Sequence, residues 1–364
     1  MRVRLANIDG LRGIAALLVL TQHLCERYAS LTPDAPGAAH LLEHVLLSFV
    51  DLGKVAVVAF FAISGFVVPF SFTAETGGTG FIVSRIFRLY PAYWLSLILA
   101  AVLLPIVSGV TLPLSRFLIN FTMLQGALHV GDVLPVYWTL FIELIFYCLC
   151  FALYKARRLY SPVTLFLLFC AMLALSLAAS DLRAHGHQQF PVAMPLYLAV
   201  MLLGTMVRLA QVEGSHSARR LLPAMFLLLL LAIPGAWLTA YTDLSHRETP
   251  IADIVGFYGA LALFMWCVKR NAFCGRLPVY VGSVSYAIYL FHPLALDTAS
   301  FVAARVPGSF GGPLLIVLTL APTFAIAHFT FVTLEKPMVR LGRKVAAALS
   351  TEASSSRVFR EGDG

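Results

Sequence analysis

Lysine, arginine, aspartate and glutamate together make up only 12% of this 364-residue chain, whereas hydrophobic residues make up 60%. So little charge cannot solvate a globular surface, which excludes a water-soluble domain and makes a lipid bilayer the relevant solvent. Cysteine is also sparse. The six present (Cys25, Cys148, Cys150, Cys170, Cys267 and Cys274) show no paired loop spacing and read as small apolar side chains. No CxxC, no HExxH and no glycine-rich nucleotide motif after a strand occurs, so no metal site is expected. There is no internal repeat, and no polar gap exceeds about twenty residues, which leaves no room for a soluble domain.

What the chain does have is apolar windows of spanning length. A membrane helix needs roughly 20 mostly apolar residues, and ten such windows lie near 10–29, 52–72, 89–109, 136–154, 160–179, 190–210, 221–241, 251–268, 278–299 and 312–334. The stretch Phe117 to Gln125 is too brief to span and is expected at the interface or as a re-entrant segment. Asp9 and Arg12 interrupt what would be the uncharged run of a signal peptide, so the first window is expected to be an uncleaved span. The expected fold class is all-α: a polytopic integral membrane protein of about ten transmembrane helices. Residues 1–345 form its transmembrane domain, and 346–364 are expected to form a polar, disordered cytoplasmic tail.

Orientation follows from Lys and Arg. With both termini cytoplasmic, 20 of the 26 basic residues fall on the cytoplasmic side. The opposite face receives Arg27, Lys54, Arg116, Arg183, Arg247 and Arg305. Topology therefore accounts for the net charge of +8, and no nucleic-acid partner is called for.

Ionisable side chains inside lipid are costly and mark partners, cavities or pathways. In "IDGLRGIAALLVLTQH", Arg12 and His23 are eleven residues apart. On a helix that is three turns plus about 20°, so both project from one face, ~16 Å apart along the axis. Asp9 joins the same stripe, three residues before Arg12. Alternating span direction brings His23, Ser64, Glu143 and His292 to a similar depth, which predicts a single buried polar layer. Arg85 and Arg88, three apart in "RIFRLYPAYW", form a two-pronged cationic patch suited to phosphate. The preceding "GGTG", Gly77 to Gly80, reads as a flexible turn or a place where backbone approaches a ligand. Trp138, Trp94 and Tyr93 read first as interface aromatics. His292 and Asp297 form an H-x4-D pattern, but five residues differ by about 140° around a helix, so the two do not face one site.

Six segments, in order, resemble the bacterial membrane acyltransferase-3 family: "IDGLRGIAALLVLTQH", "VVAFFAISGFVV", "RIFRLYPAYW", "VYWTLFIELIFY", "YVGSVSYAIYLFHPL" and "LEKPMVRL". The resemblance covers about residues 5 to 345. It implies O-acylation of polysaccharides and related glycans. The family's first-span Arg and His match Arg12 and His23, its R-x-x-R matches Arg85 and Arg88, and its Trp and Glu match Trp138 and Glu143, with Phe146 and Tyr147 following. Leu144 and Ile145 stand where the family often has a second acidic residue and Gln, so any role of that carboxylate is missing. The chain reads as a stand-alone member without the SGNH esterase-like domain of many relatives.

The resemblance implies acetyl-CoA as the acyl donor, its phosphates held by Arg85, Arg88 and Arg12. His23 is then the general base toward a sugar hydroxyl, since a neutral imidazole is available near neutral pH. Glu143 would orient or charge-balance it. Asp9, Ser64, Trp138, Tyr147 and His292 would line the substrate chamber. An acyl-His23 intermediate fits the sequence equally well. The acceptor implied is an exopolysaccharide or a lipid-linked repeat unit, met at the bacterial inner membrane among lipids and in a polysaccharide assembly complex. The rival class is a transporter or flippase using the same charges as a relay, which the missing inverted repeat disfavours. A third is a non-catalytic scaffold.

Overall fold

The computed structural model describes residues 5–31, 49–72, 77–186, 191–241, 249–306 and 311–361, with side chains through 350. Among the described residues every regular element is helical. Ten helices are long and apolar enough to cross a membrane, one on each expected window. In chain order they begin with α1 (Ala6–Leu31), α2 (Leu52–Val67) and α3 (Gly77–Val107). The short α4 (Leu114–Phe121) follows, then α5 (Trp138–Lys155), α6 (Pro162–Ala184), α7 (Ala193–Gln211) and α8 (His216–Ala240). The chain ends with α9 (Pro250–Arg270), α10 (Arg276–Ala303), α11 (Gly311–Thr330) and α12 (Lys336–Glu361). Of the charges used for orientation, Arg2, Arg4 and Arg247 lie outside the described residues.

Helices α1 and α10 carry most of the site, and small residues let their backbones approach closely. A Cβ on Gly282 would collide with the Asp9 carbonyl, and one on Gly13 would lie 2.6 Å from the Pro278 carbonyl oxygen. Farther along the same pair, the Arg27 guanidinium donates to Asp297 at 2.7 Å. The two helices therefore run parallel, with an Arg12 end and a His23 end. Gly282→Leu is expected to wedge them apart, costing ~1–3 kcal/mol or more by overpacking. The measurement is the melting temperature of the purified protein in detergent, which should fall.

The stretch too short to span becomes α4 and the turns after it, and three aromatic donors of α3 hold it. Tyr93 Oη donates to the Asn120 carbonyl at 2.6 Å, Tyr90 Oη to that of Thr122 at 3.0 Å, and Trp94 Nε1 to that of Phe121 at 3.0 Å. Carbonyls at a helix end have no partner in their own helix, so these donors fill that need. At the His23 end, partly buried Lys54 of α2 and buried Asp253 of α9 form an ion pair at 3.4 Å, and Trp237 Nε1 also donates to Asp253. Each charge requires the other at such burial.

The last span is not a single α-helix. Residues Phe331–Glu335 form a π-helical turn, and the Lys336 N–H reaches back five residues to the Phe331 carbonyl. Pro337 has no N–H to continue the α-helical ladder, a local cause for this register change. The backbone then continues helical as α12 through Glu361.

Candidate functional site

Helices α1, α2, α3, α5 and α10 enclose a cavity of about 740 Å³, counting the part open to solvent. Three cations, Arg12, Arg85 and Arg88, face it together with Ser64 and Glu143. Arg12 lies 4.0 Å from Asp9, one helical turn away, as the shared stripe predicts. Arg85 sits over two aromatic rings, 5.4 Å from the centroid of Phe81 and 5.3 Å from that of Tyr147. Such stacking holds a guanidinium in place without neutralising it. Its buried Nε has no hydrogen-bond partner among the described residues.

Glu143 is fixed by two hydroxyls. Tyr147 Oη donates to its Oε1 at 2.5 Å, and Ser64 Oγ donates to the same oxygen at 3.2 Å. Tyr147 thus links the carboxylate to Arg85, because the same ring lies under the guanidinium.

A second cavity, about 770 Å³ with its open part, lies at the His23 end and is lined by His23, Glu26, Arg27, Ser30 and Asp297 among others. His23 Nδ1 is 3.1 Å from Glu26 Oε2. A carboxylate only accepts, so in the neutral ring Nδ1 carries the proton and Nε2 carries the lone pair. Gln22 Nε2 donates to the other Glu26 oxygen at 2.8 Å and so orients the orienter. The His292 ring stacks on His23, with centroids 5.5 Å apart and planes at 17°. His292 Nδ1 lies 3.1 Å from the Ile288 carbonyl, so it donates there and leaves the buried Nε2 as an acceptor without a partner among the described residues.

The expected single polar layer therefore resolves into two places. Ser64 and Glu143 share the cationic cavity, whereas His23 and His292 stack near the other one. Tyr289 stands between them. It lines the cationic cavity, its ring lies 6.0 Å from His292, and its hydroxyl pairs with Thr139 at 2.8 Å. The carboxylate that reaches His23 is Glu26, while the hydrogen bonds of Glu143 go to Ser64 and Tyr147. The physical reason is azimuth: depth along the bundle says nothing of which face a side chain presents.

Trp138 does not line the cavity but packs on Phe61 and Tyr197, at 6.4 and 5.5 Å between ring centroids. The "GGTG" segment is the first turn of α3, where a Cβ on Gly78 would meet the Phe151 ring at 2.7 Å. Gly78 thus serves packing against α5. Asp297 takes Arg27 as its partner and His292 takes His23, as the angle between them requires. Sequence reasoning passed over Glu26, although its spacing of three from His23 was a visible signal. Tyr289, three before His292, offered the same signal.

The fold and its cavities define a class: a multi-pass helical membrane protein with a cationic cavity and, beyond a tyrosine wall, a histidine–carboxylate pair. Residues 5–331 match the acyltransferase-3 family, described as an acyltransferase domain, and the chain belongs to that family. It is a membrane acyltransferase. The chain is similar to the exopolysaccharide production protein ExoZ of Rhizobium meliloti (strain 1021), with 26% identity over 318 residues that cover 83% of this chain and 95% of the relative. It is also similar to the acyltransferase MdmB of Streptomyces mycarofaciens, with 32% identity over 111 residues that cover 30% of this chain and 27% of that protein. No solved structure matches significantly.

Proposed function

We propose that the protein is an O-acetyltransferase that takes its acyl group from acetyl-CoA at the Arg12 end. The acceptor is a hydroxyl of an exopolysaccharide or of its lipid-linked repeat unit at the His23 end. On this reading both termini are cytoplasmic, the membrane is the bacterial inner membrane, and the protein works beside a polysaccharide assembly complex. The observation that carries the reading is the pair of cavities linked by a chain of rings: Tyr289 lines the cationic cavity and packs on His292, which stacks on His23 in the lining of the other. One offers cations to a phosphorylated donor and the other offers a base. The residues present fit such a donor: the Arg85 Nε is a buried N–H without a partner, the kind of group an anionic ligand satisfies. The similarity to an exopolysaccharide production protein supports a glycan acceptor.

In the proposed chemistry, His23 Nε2 takes the proton of the acceptor hydroxyl, and Glu26 steadies the imidazolium through Nδ1–H. The freed oxygen forms the ester bond to the acyl carbon as the thioester C–S bond breaks. The leaving thiolate then takes up the proton from His23, which restores the neutral ring. Glu143 stays with Ser64 and Tyr147 and shapes the donor cavity.

Mass spectrometry of the host polysaccharide, with and without the protein, tests the proposal. The expected result is loss of one acetyl mass from each modified sugar. An unchanged polysaccharide, or solute accumulation without any acyl transfer, overturns it.

A further inference from the structure

A second cationic pocket adjoins the donor cavity and has no part in the scheme above. It occupies about 590 Å³ with its open part and is lined by Arg88, Lys336, Arg340 and Arg343, together with Phe331 and Glu335. Arg88 lines both pockets, so the two meet at its side chain. Lys336, Arg340 and Arg343 follow one another at four and three residues along α12, which places them on one helix face. The π-helical turn Phe331–Glu335 immediately before them packs against α3 and α10, the helices that also wall the donor cavity.

Four cations gathered at one pocket repel one another unless something anionic sits among them. Among the described residues no ion pair within 4.0 Å joins Arg88, Lys336, Arg340 or Arg343 to a carboxylate, although Glu335 in the lining is close enough to feel the charge of Arg88. The one acidic lining residue, Glu335, has a buried Oε1 without a hydrogen-bond partner. Lys336 instead lies over the Phe331 ring, 4.7 Å from its centroid. Guanidinium forks pair with phosphate oxygens in two parallel hydrogen bonds, and the pocket presents three of them.

We infer that this pocket holds the phosphates at the nucleotide end of the acyl donor, with Lys336, Arg340 and Arg343 as binding residues. The donor then bends past Arg88, and its thioester arm enters the cavity of Arg12, Arg85 and Glu143. This rests on acyl-CoA being the donor, and it adds a phosphate site at the base of α12 to the cations of the cavity. Anionic lipid headgroups share the same phosphate chemistry, so the test separates the two sources.

Protein in nanodiscs of phosphatidylcholine alone is titrated with radiolabelled CoA, and adenosine 3′,5′-bisphosphate serves as competitor. The double variant Arg340→Ala/Arg343→Ala is expected to bind CoA about tenfold or more weakly and to lose the competition, as removal of charge-assisted hydrogen bonds requires. Lys344→Ala, one residue on and outside the pocket, should bind like the wild type, and matching melting temperatures would establish that all three proteins are folded. Wild-type binding that the double variant retains in full overturns the pocket assignment alone. No CoA binding by the wild type overturns the donor assignment, and this inference with it. A double variant that loses only its retention of phosphatidylglycerol, in nanodiscs containing that lipid, marks a headgroup site and also overturns the inference.

Discussion

His23→Ala is expected to lower acyl transfer by about 100- to 10,000-fold, the range a positioned general base contributes. The variant should still bind donor, because the cations of the donor cavity lie on the far side of Tyr289 from His23. Its protein level should also persist, since His23 is partly exposed and leaves no buried partner orphaned except the stacked face of His292. Glu26→Gln tests the same assignment more gently. The amide can still meet Nδ1 but no longer stabilises an imidazolium, so transfer should fall, though less than in His23→Ala. Transfer assays on membranes with labelled acetyl-CoA, normalised to protein abundance, read both. Full activity in His23→Ala would remove His23 from the chemistry and turn attention to the buried Nε2 of His292.

The second large effect is expected from Arg85→Ala/Arg88→Ala. Hydrogen bonds to a charged group are worth about 1.5–3 kcal/mol each, so losing two cations should raise the KM for acetyl-CoA by roughly 100-fold or more. The two sites adjoin one cavity, so their effects should not simply add. Arg85 has a structural consequence that Arg88 lacks. Its guanidinium lies over Tyr147, whose hydroxyl bonds Glu143, so Arg85→Ala alone should also reduce kcat by loosening that carboxylate. Arg85→Lys keeps the charge but not the planar stack, and should recover only part of the affinity. Initial rates over a range of acetyl-CoA concentrations separate the KM and kcat components. Unchanged KM in the double variant would mean the donor is held elsewhere.

Much of this fold is visible in the sequence because the bilayer imposes a length on each apolar run. All ten expected windows become helices, and the stretch near Phe117, too short to cross, becomes α4. The stripe of Asp9, Arg12 and His23 is equally legible, since helix geometry alone places it. What could not be read is which neighbour each side chain meets. Glu143 and His23 were matched by depth, yet Glu143 turns to Ser64 and Tyr147 while His23 finds Glu26 on its own helix. Lys336, Arg340 and Arg343 were counted in the topological charge excess, and the first two also lie in the segment "LEKPMVRL", but neither reading gave them a site. Their common pocket depends on the π-helical turn before them and on α3 alongside, neither of which periodicity reveals. Tyr289 had a signal in its spacing of three from His292, but an aromatic residue in an apolar helix looks like core until a cavity is found on one side of it and a histidine on the other.

In the proposed mechanism the acyl group passes through the protein, from a donor bound at the Arg12 end to an acceptor at the His23 end. Proteoliposomes with the protein inserted in one orientation test it directly, with labelled acetyl-CoA only on the α12 side and glycan acceptor only on the other. Labelled glycan is expected in the acceptor compartment with wild-type protein, and background labelling with His23→Ala. Label that appears only when donor and acceptor share a compartment would contradict it.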